Sequence, residues 1–326
     1  MFVPSWLILL DAQPIQNAIV GTPPAISQDH VRFPAIYAGA GLCDDRTMAI
    51  LSTTRGDFEV ILEGPADGPL IVLLHGFPEL SISWRHQIPA LTAAGFRVLA
   101  PNQRGYDGSV RGGSYATADL ARDVISMLDA LGSERATIVG HDWGGGVAWT
   151  TARLFGDRVE RLIALNCPPP EVLSHEVLTN PAQFAKSWYM FFFQIPRLPE
   201  FFVSRKMPWM IRGGSYNRDA WNADNLAPYG QAFATPADAS GPIDWYRAAM
   251  RHPVRGGKPV SAPTLIIWGI EDSFLSMAMI SPQSLRRALS YGNEADVALI
   301  EGAGHFVQNE APEKVTAAML GWLTTA

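Results

Sequence analysis

Cysteine is scarce in this chain: Cys43 and Cys167 are its only two. Two distant cysteines build no disulfide framework, which excludes the small cross-linked secreted scaffolds and fits a reduced, cytoplasmic protein. Long apolar runs are missing too. A membrane span needs ~20 apolar residues, whereas the run Trp6–Leu10 stops at Asp11. No Lys or Arg precedes Arg32, so a secretory leader lacks its basic start. Charged residues make up only 17%, with a net charge of −6, which gives no sign of nucleic acid or of an anionic membrane as partner. No grouping of His, Cys, Asp and Glu has metal-ligand spacing, so neither a metal nor an organic cofactor is expected.

What is present is ordinary globular material: 326 residues, 48% of them hydrophobic, enough for one large α/β unit with an insertion. Ten Trp and fifteen Phe are generous, and many cluster between Phe184 and Trp245, where an aromatic-rich insertion would wall an apolar pocket.

Residues 1–47 carry Pro14, Pro23, Pro24 and Pro34 and show little periodicity. Two readings stay open for them: a start called too early, with Met48 the natural one, or an arm lying on the core. From Met48 strands and helices alternate. Strands are predicted at Phe58–Leu62, Leu70–Leu74, Arg97–Ala100, Ala136–Val139, Val159–Leu165, Thr264–Trp268 and Val297–Ile300. Helices are predicted at Trp84–Ala94, Ala116–Leu131, and Pro312–Leu323. The alternation breaks at Pro168-Pro169-Pro170, with helical pieces only around Pro181–Phe193 and Trp245–Met250, and resumes near Val260. The expected organisation is a doubly wound, mostly parallel α/β core at 48–168 and 261–326, with a mainly helical cap at 169–260.

The stretch Gly140-His141-Asp142-Trp143-Gly144 lies between a buried strand and the start of a helix. It has the G-x-nucleophile-x-G shape of the α/β-hydrolase elbow, with Asp142 in the place of the usual serine. A carboxylate there displaces a leaving group from saturated carbon and leaves an alkyl ester, so strained epoxides and alkyl halides are the natural electrophiles. The order in this fold is nucleophile, acid, histidine. Asp272 follows the strand at Thr264–Trp268 and His305 the strand at Val297–Ile300, both past strand carboxyl ends where open α/β sheets bind ligands. His305 is the expected general base and Asp272 its orienting acid, preferred over the adjacent Glu271. Alone, each is as readily a turn or core residue; their order makes the signal. The loop His75-Gly76-Phe77-Pro78-Glu79 is expected to supply one oxyanion-hole amide, that of Phe77, with Trp143 giving the other. The alternative for His75 is a buried, hydrogen-bonded structural residue.

Taken together, HGFPE at 75–79, QRGYDGS at 103–109, GHDWGG at 140–145, WGIED at 268–272 and GAGHFVQNE at 302–310 resemble the epoxide hydrolases of the α/β-hydrolase fold, over Met48 to the C-terminus. That resemblance implies two lid tyrosines protonating the leaving oxygen. Tyr189, in WYMFFFQIP, and Tyr246, in DWYR, match their segments. It implies a small apolar epoxide and water as the reactants, with His75, Pro78, Trp143, Trp188 and Phe192 as substrate contacts, in a monomer or homodimer. One departure stands out: Asp107 sits where the family's RGYG has glycine, which puts substrate shape in question.

Two rivals remain. The chain is also similar to haloalkane dehalogenases, in which the Trp after the nucleophile binds halide; their second donor is often an Asn where this chain has Phe77, though Trp188 offers a substitute. Fluoroacetate dehalogenases carry an Arg where this chain has Trp143. A catalytically silent binding protein of the same fold is the other class, since fold alone does not establish activity.

Overall fold

The structure is a computed structural model that describes residues 30–32, 48–253, 257–290 and 293–325. Nine strands form one sheet: β1 (Val31–Arg32), β2 (Met48–Thr53), β3 (Gly56–Glu63), β4 (Leu70–Leu74), β5 (Arg97–Pro101), β6 (Ala136–His141), β7 (Val159–Leu165), β8 (Thr264–Gly269) and β9 (Ala295–Ile300). Their order is β1-β2-β3-β5-β4-β6-β7-β8-β9. The pairs from β5 to β9 are all parallel, while β1, β2 and β3 join antiparallel at one edge.

Side-chain alternation divides the core into two layers. Leu70, Val72 and Leu74 of β4 pack on one face with Leu120, Val124 and Val147, while Ile71 and Leu73 pack on the other with Ile88, Leu91 and Met319. The helices are therefore split as well. On the first face lie α2 (Thr117–Ala130) and α3 (Trp143–Leu154); on the second lie α1 (Ile88–Ala93) and, at the chain's end, the helix Pro312–Thr324. Covering both faces explains why β4, β6 and β8 are buried along their full lengths.

Among the described residues six α-helices intervene between β7 and β8: α4 (Pro170–Thr179), α5 (Pro181–Lys186), α6 (Trp188–Phe192), α7 (Leu198–Gly214), α8 (Ala223–Ala232) and α9 (Pro236–Arg251), with a 3-10 turn at Arg218–Ala220. After β8 come α10 (Pro282–Leu285), α11 (Val307–Glu310) and α12 (Pro312–Thr324). Among the described residues no helix is long and apolar enough to cross a membrane.

Several elements differ from the sequence reading. The helix expected at Trp84–Ala94 is a 3-10 turn, Ser81–Trp84, followed by the shorter α1, because Pro89 can only open a helix and not run through one. Pro181–Phe193 is two short helices joined at Ser187. Trp245–Met250 is only the end of α9, whose first half is masked in sequence by Gly241 and Pro242. The glycine is needed there: a Cβ on it would lie 2.5 Å from the Gly105 carbonyl oxygen. In α7 and α8, Pro208 and Pro228 similarly hide helices from a periodicity reading. Of the 1–47 segment, β1 pairs with β2, and Arg32 bridges to Asp57 at 3.1 Å; the rest of that expectation lies outside the described residues.

Candidate active site

The turn from β6 into α3 brings Asp142 to the head of the helix with φ 49° and ψ −119°. A non-glycine residue held there costs about 1–3 kcal/mol, which the surrounding close packing must offset. Small neighbours make the turn possible: a Cβ on Gly144 would collide with the Leu74 carbonyl oxygen, and one on Gly76 would lie 2.6 Å from the Asp142 Cβ. The nucleophile candidate and the β4 loop are thus in direct contact.

Two polar groups converge on the Asp142 carboxylate. The Phe77 amide donates to Oδ1 at 2.8 Å, and His305 Nε2 lies 3.3 Å from Oδ2. The other ring nitrogen, Nδ1, is 2.8 Å from Asp272 Oδ2. Asp272 is itself fixed: its Oδ1 accepts the amides of Phe274 and Leu275, and its Oδ2 accepts the Asn166 side-chain amide at 2.7 Å. Glu271 is exposed and no hydrogen bond from it to His305 is found; its amide bonds the Ala303 carbonyl oxygen. Trp143 is the first residue of α3, so its amide is one of the helix's free N-terminal donors.

The electrostatics follow from this packing. Burial opposes charge on Asp142 and Asp272, yet the His305 imidazole outweighs it and both carboxyls fall below their ordinary value. Burial likewise works against charge on His305, but the Asp272 charge and the bonds to both carboxylates raise it well above the usual histidine value. The resting site therefore holds an imidazolium between two carboxylates. Tyr189 and Tyr246 are raised well above the ordinary phenol by burial and then by the Asp142 charge, so both stay protonated donors.

Asp142, Trp143, Tyr189 and Tyr246 line one cavity of about 540 Å³. It runs along α3, past Trp143, Gly146, Thr150 and Arg153, whose spacing of three and four puts them on one helix face. At 1.5 Å per residue this groove extends about 15 Å. Pro170, Ser174 and Val177 of α4 line it too, as do Met190, Phe191 and Met250, and Arg153 and Glu171, both in the lining, pair at 2.8 Å. Tyr246 is clamped by Trp143, Phe77 and Phe193, with ring centroids 4.9, 5.4 and 4.8 Å away.

Other expected contacts are placed elsewhere. Trp188 is 63% exposed and packs outward against Phe192, and neither ring lines the cavity; Phe191 does. His75 is fully buried, with Nε2 accepting the Gln103 amide and Nδ1 donating to the Gly76 carbonyl, and desolvation lowers it to about 4. It is thus a neutral strut of the loop rather than a substrate contact, and Pro78 does not line the cavity either. Asp107 is mainly exposed and faces Arg111, away from the cavity, so this departure from the family pattern leaves the pocket wall unchanged.

Sequence reasoning missed two supports. Asn166, held at φ 40°, bonds both Asp272 and the Gly269 backbone; its position directly after β7 was the available signal. The second is Glu79, fully buried, whose carboxylate takes His141 Nδ1 at 2.6 Å, the Gly76 amide, and the side-chain amides of Gln308 and Asn309. His141 Nε2 reaches the His305 carbonyl oxygen at 2.8 Å, so one network ties the β4 loop, the elbow and the histidine loop together. The HGFPE and GHDWGG segments contained both residues, but only a folded chain shows that they meet.

An elbow that presents a carboxylate, a histidine–aspartate pair behind it and an α/β sheet beneath are the arrangement of an α/β hydrolase. The model of the alpha/beta hydrolase fold matches residues 69–312, and the chain belongs to that family. Among similar proteins, the AB hydrolase superfamily protein YfhM of Bacillus subtilis (strain 168) is 35% identical over 84% of this chain and 96% of its own length. Epoxide hydrolase A of Mycobacterium tuberculosis is 34% identical over 85% and 97%, and mouse epoxide hydrolase 4 is 32% identical over 82% and 76%. The crystal structure of epoxide hydrolase A from Mycobacterium thermoresistibile is similar at a TM-score of 0.73 and 30% identity, over 86% of this chain and 98% of that one. With relatives of this kind, the chain is a hydrolase.

Proposed function

We propose that this hydrolase opens an apolar epoxide to a vicinal diol through a covalent ester on Asp142. The observation that carries the reading is the Asp142 carboxylate facing a cavity it shares with two protonated phenols, Tyr189 and Tyr246, while His305 stands 3.3 Å behind it. An epoxide, unlike a halide, needs a proton as its C–O bond breaks, and the tyrosines supply the donors.

In the first half-reaction, Asp142 Oδ2 attacks a ring carbon, the C–O bond breaks, and the oxygen takes a proton from the tyrosine pair. The product is a neutral hydroxyalkyl ester. With the Asp142 charge gone, the raised basicity of His305 falls, and its proton passes by way of solvent to restore the phenol. In the second half, neutral His305 removes a proton from water as the hydroxide attacks the Asp142 carboxyl carbon. Oδ1, already held by the Phe77 amide, takes up the negative charge, with the Trp143 amide as second donor. Collapse breaks the ester C–O bond at the Asp142 carboxyl carbon; the leaving alkoxide takes the proton of the newly added hydroxyl, so the diol departs and the carboxylate is restored beside the imidazolium. Asp272, fixed by Asn166, holds the ring throughout. The mostly apolar groove along α3 suits an epoxide bearing an extended hydrocarbon arm.

A second reading, haloalkane dehalogenation, draws on Trp143 alone: its indole lines the cavity, but Trp188 faces out and offers no second halide donor there. The test is turnover of styrene oxide and 1,2-dibromoethane side by side, assayed for diol and bromide. Diol without bromide is expected. Bromide without diol moves the chain to the dehalogenases, and neither product with retained ligand binding makes it a silent binder.

A further inference from the structure

The lid exposes an unusual amount of aromatic surface beside the cavity mouth. Leu178, Phe184, Trp188, Phe201 and Trp209 are each at least half exposed. They form one face, not scattered residues. Ring contacts link Phe184 to Phe191, Trp188 to Phe192, and Phe192 to Phe202 across α5, α6 and α7. On α7, the exposed Leu198, Phe202, Arg205, Trp209 and Arg212 recur every three or four residues, which is one helix stripe. A patch of this kind on a soluble chain marks an interaction surface.

Charge identifies the partner. The exposed charged residues between Val177 and Gly214 are Lys186, Arg197, Arg205, Lys206 and Arg212, all cations. The single acid in that span, Glu200, is buried and held by Arg247 at 2.6 Å. None of the five cations pairs with a carboxylate among the described residues; Arg205 instead lies over the Phe201 ring. The chain as a whole carries −6, so its charge is strongly segregated, and the net value read from composition hides this face.

We propose that this lid face is a peripheral docking surface for an anionic lipid bilayer. Aromatic rings with interleaved Lys and Arg are suited to the interface between lipid headgroups and acyl chains, where the rings sink in and the cations meet phosphates. A second copy of the chain is disfavoured as the occupant: a two-fold interface would set five unpaired cations against the same five. The geometry also gives docking a purpose. Leu178 and Phe191 belong both to this face and to the cavity lining, so the mouth of the groove opens at the surface that would touch lipid. An apolar substrate dissolved in the bilayer would reach the cavity without crossing water. Docking itself does not depend on which reaction the site performs.

The experiment is co-sedimentation of the full chain with vesicles of phosphatidylcholine alone and of equal parts phosphatidylcholine and phosphatidylglycerol, at low and high salt. Binding is expected to the anionic vesicles, weakened by salt. Replacing Arg205 and Lys206 by Gln should lower the partition coefficient about twenty-five-fold, at roughly fivefold per cation. Trp209→Ser should also lower it, and neither variant should change turnover of water-dissolved styrene oxide. No binding to the anionic vesicles, or equal binding to both kinds, would overturn the proposal. So would a dimer in light scattering that Trp209→Ser dissociates, which would make the face a contact between copies.

Discussion

Glu79→Gln removes the charge at the centre of the network behind the site while keeping its volume. The wild-type carboxylate is fully buried and accepts from His141, the Gly76 amide, Gln308 and Asn309. Burial opposes its charge, but His141 more than offsets this and holds the carboxyl below its ordinary value. The amide keeps one acceptor and turns an NH2 toward groups that are themselves donors. Taking a buried charge away from the groups that hold it costs about 3–5 kcal/mol. At about 2–4 °C per kcal/mol for a chain of this general size, the melting midpoint should fall by about 6–20 °C. Catalysis should suffer as well, since His141 carries the position of the His305 backbone, and a misplacement near 1 Å costs up to about 10²-fold. The assay is thermal unfolding followed by circular dichroism, beside styrene oxide kinetics at a temperature where the variant is folded. A midpoint within about 2 °C of wild type, with kcat unchanged, would refute the reasoning, because the network would then contribute nothing net.

Three further outcomes are expected. His75 is neutral when folded, its pKa lowered by burial to about 4 from an ordinary 6.5. The unfolded chain therefore binds its proton first, and stability should fall as pH drops from 6.5 to 4, by about 3 kcal/mol at about 1.4 per unit. His305, raised in the fold, is protonated in both states at the low end of that window and loses its contribution only as pH rises through its folded value. Denaturant midpoints across pH test this, and a flat profile between 6.5 and 4 would contradict it. Gly144→Ala drives a methyl into the Leu74 carbonyl oxygen, so the soluble folded yield should collapse, whereas Gly146→Ala, which meets nothing, should be tolerated. Tyr246→Phe should slow single-turnover ester formation by about 10²-fold or more while leaving ester hydrolysis unchanged; equal slowing of both steps would deny it the donor role.

Strands β4, β6 and β8 were legible because both their faces are covered and they read as continuous apolar runs, and the candidate residues Asp142 and Asp272 follow the last two; β7, interrupted by Glu160 and Arg161, and the largely exposed β9 ahead of His305 are weaker runs. The lid was less legible. Pro208, Pro228 and Pro242 sit inside helices that tertiary packing keeps intact, and their presence read as loop. The direction of individual side chains was harder still. His75 and Trp188 carry the chemistry of a site contact, but one is a sealed strut and the other points to solvent, and only the fold determines which way a side chain faces. Asn166 and Glu79 are the reverse case, ordinary polar letters that became structural through partners distant in sequence.

The covalent ester is the central claim, and His305→Gln tests it most directly. The variant keeps Asp142 and the tyrosines but has no base for water. Intact-protein mass spectrometry after incubation with styrene oxide should show the chain heavier by one epoxide, with the added mass on the peptide containing Asp142. No adduct, while the epoxide is still consumed, would contradict the account and require water to attack the ring directly.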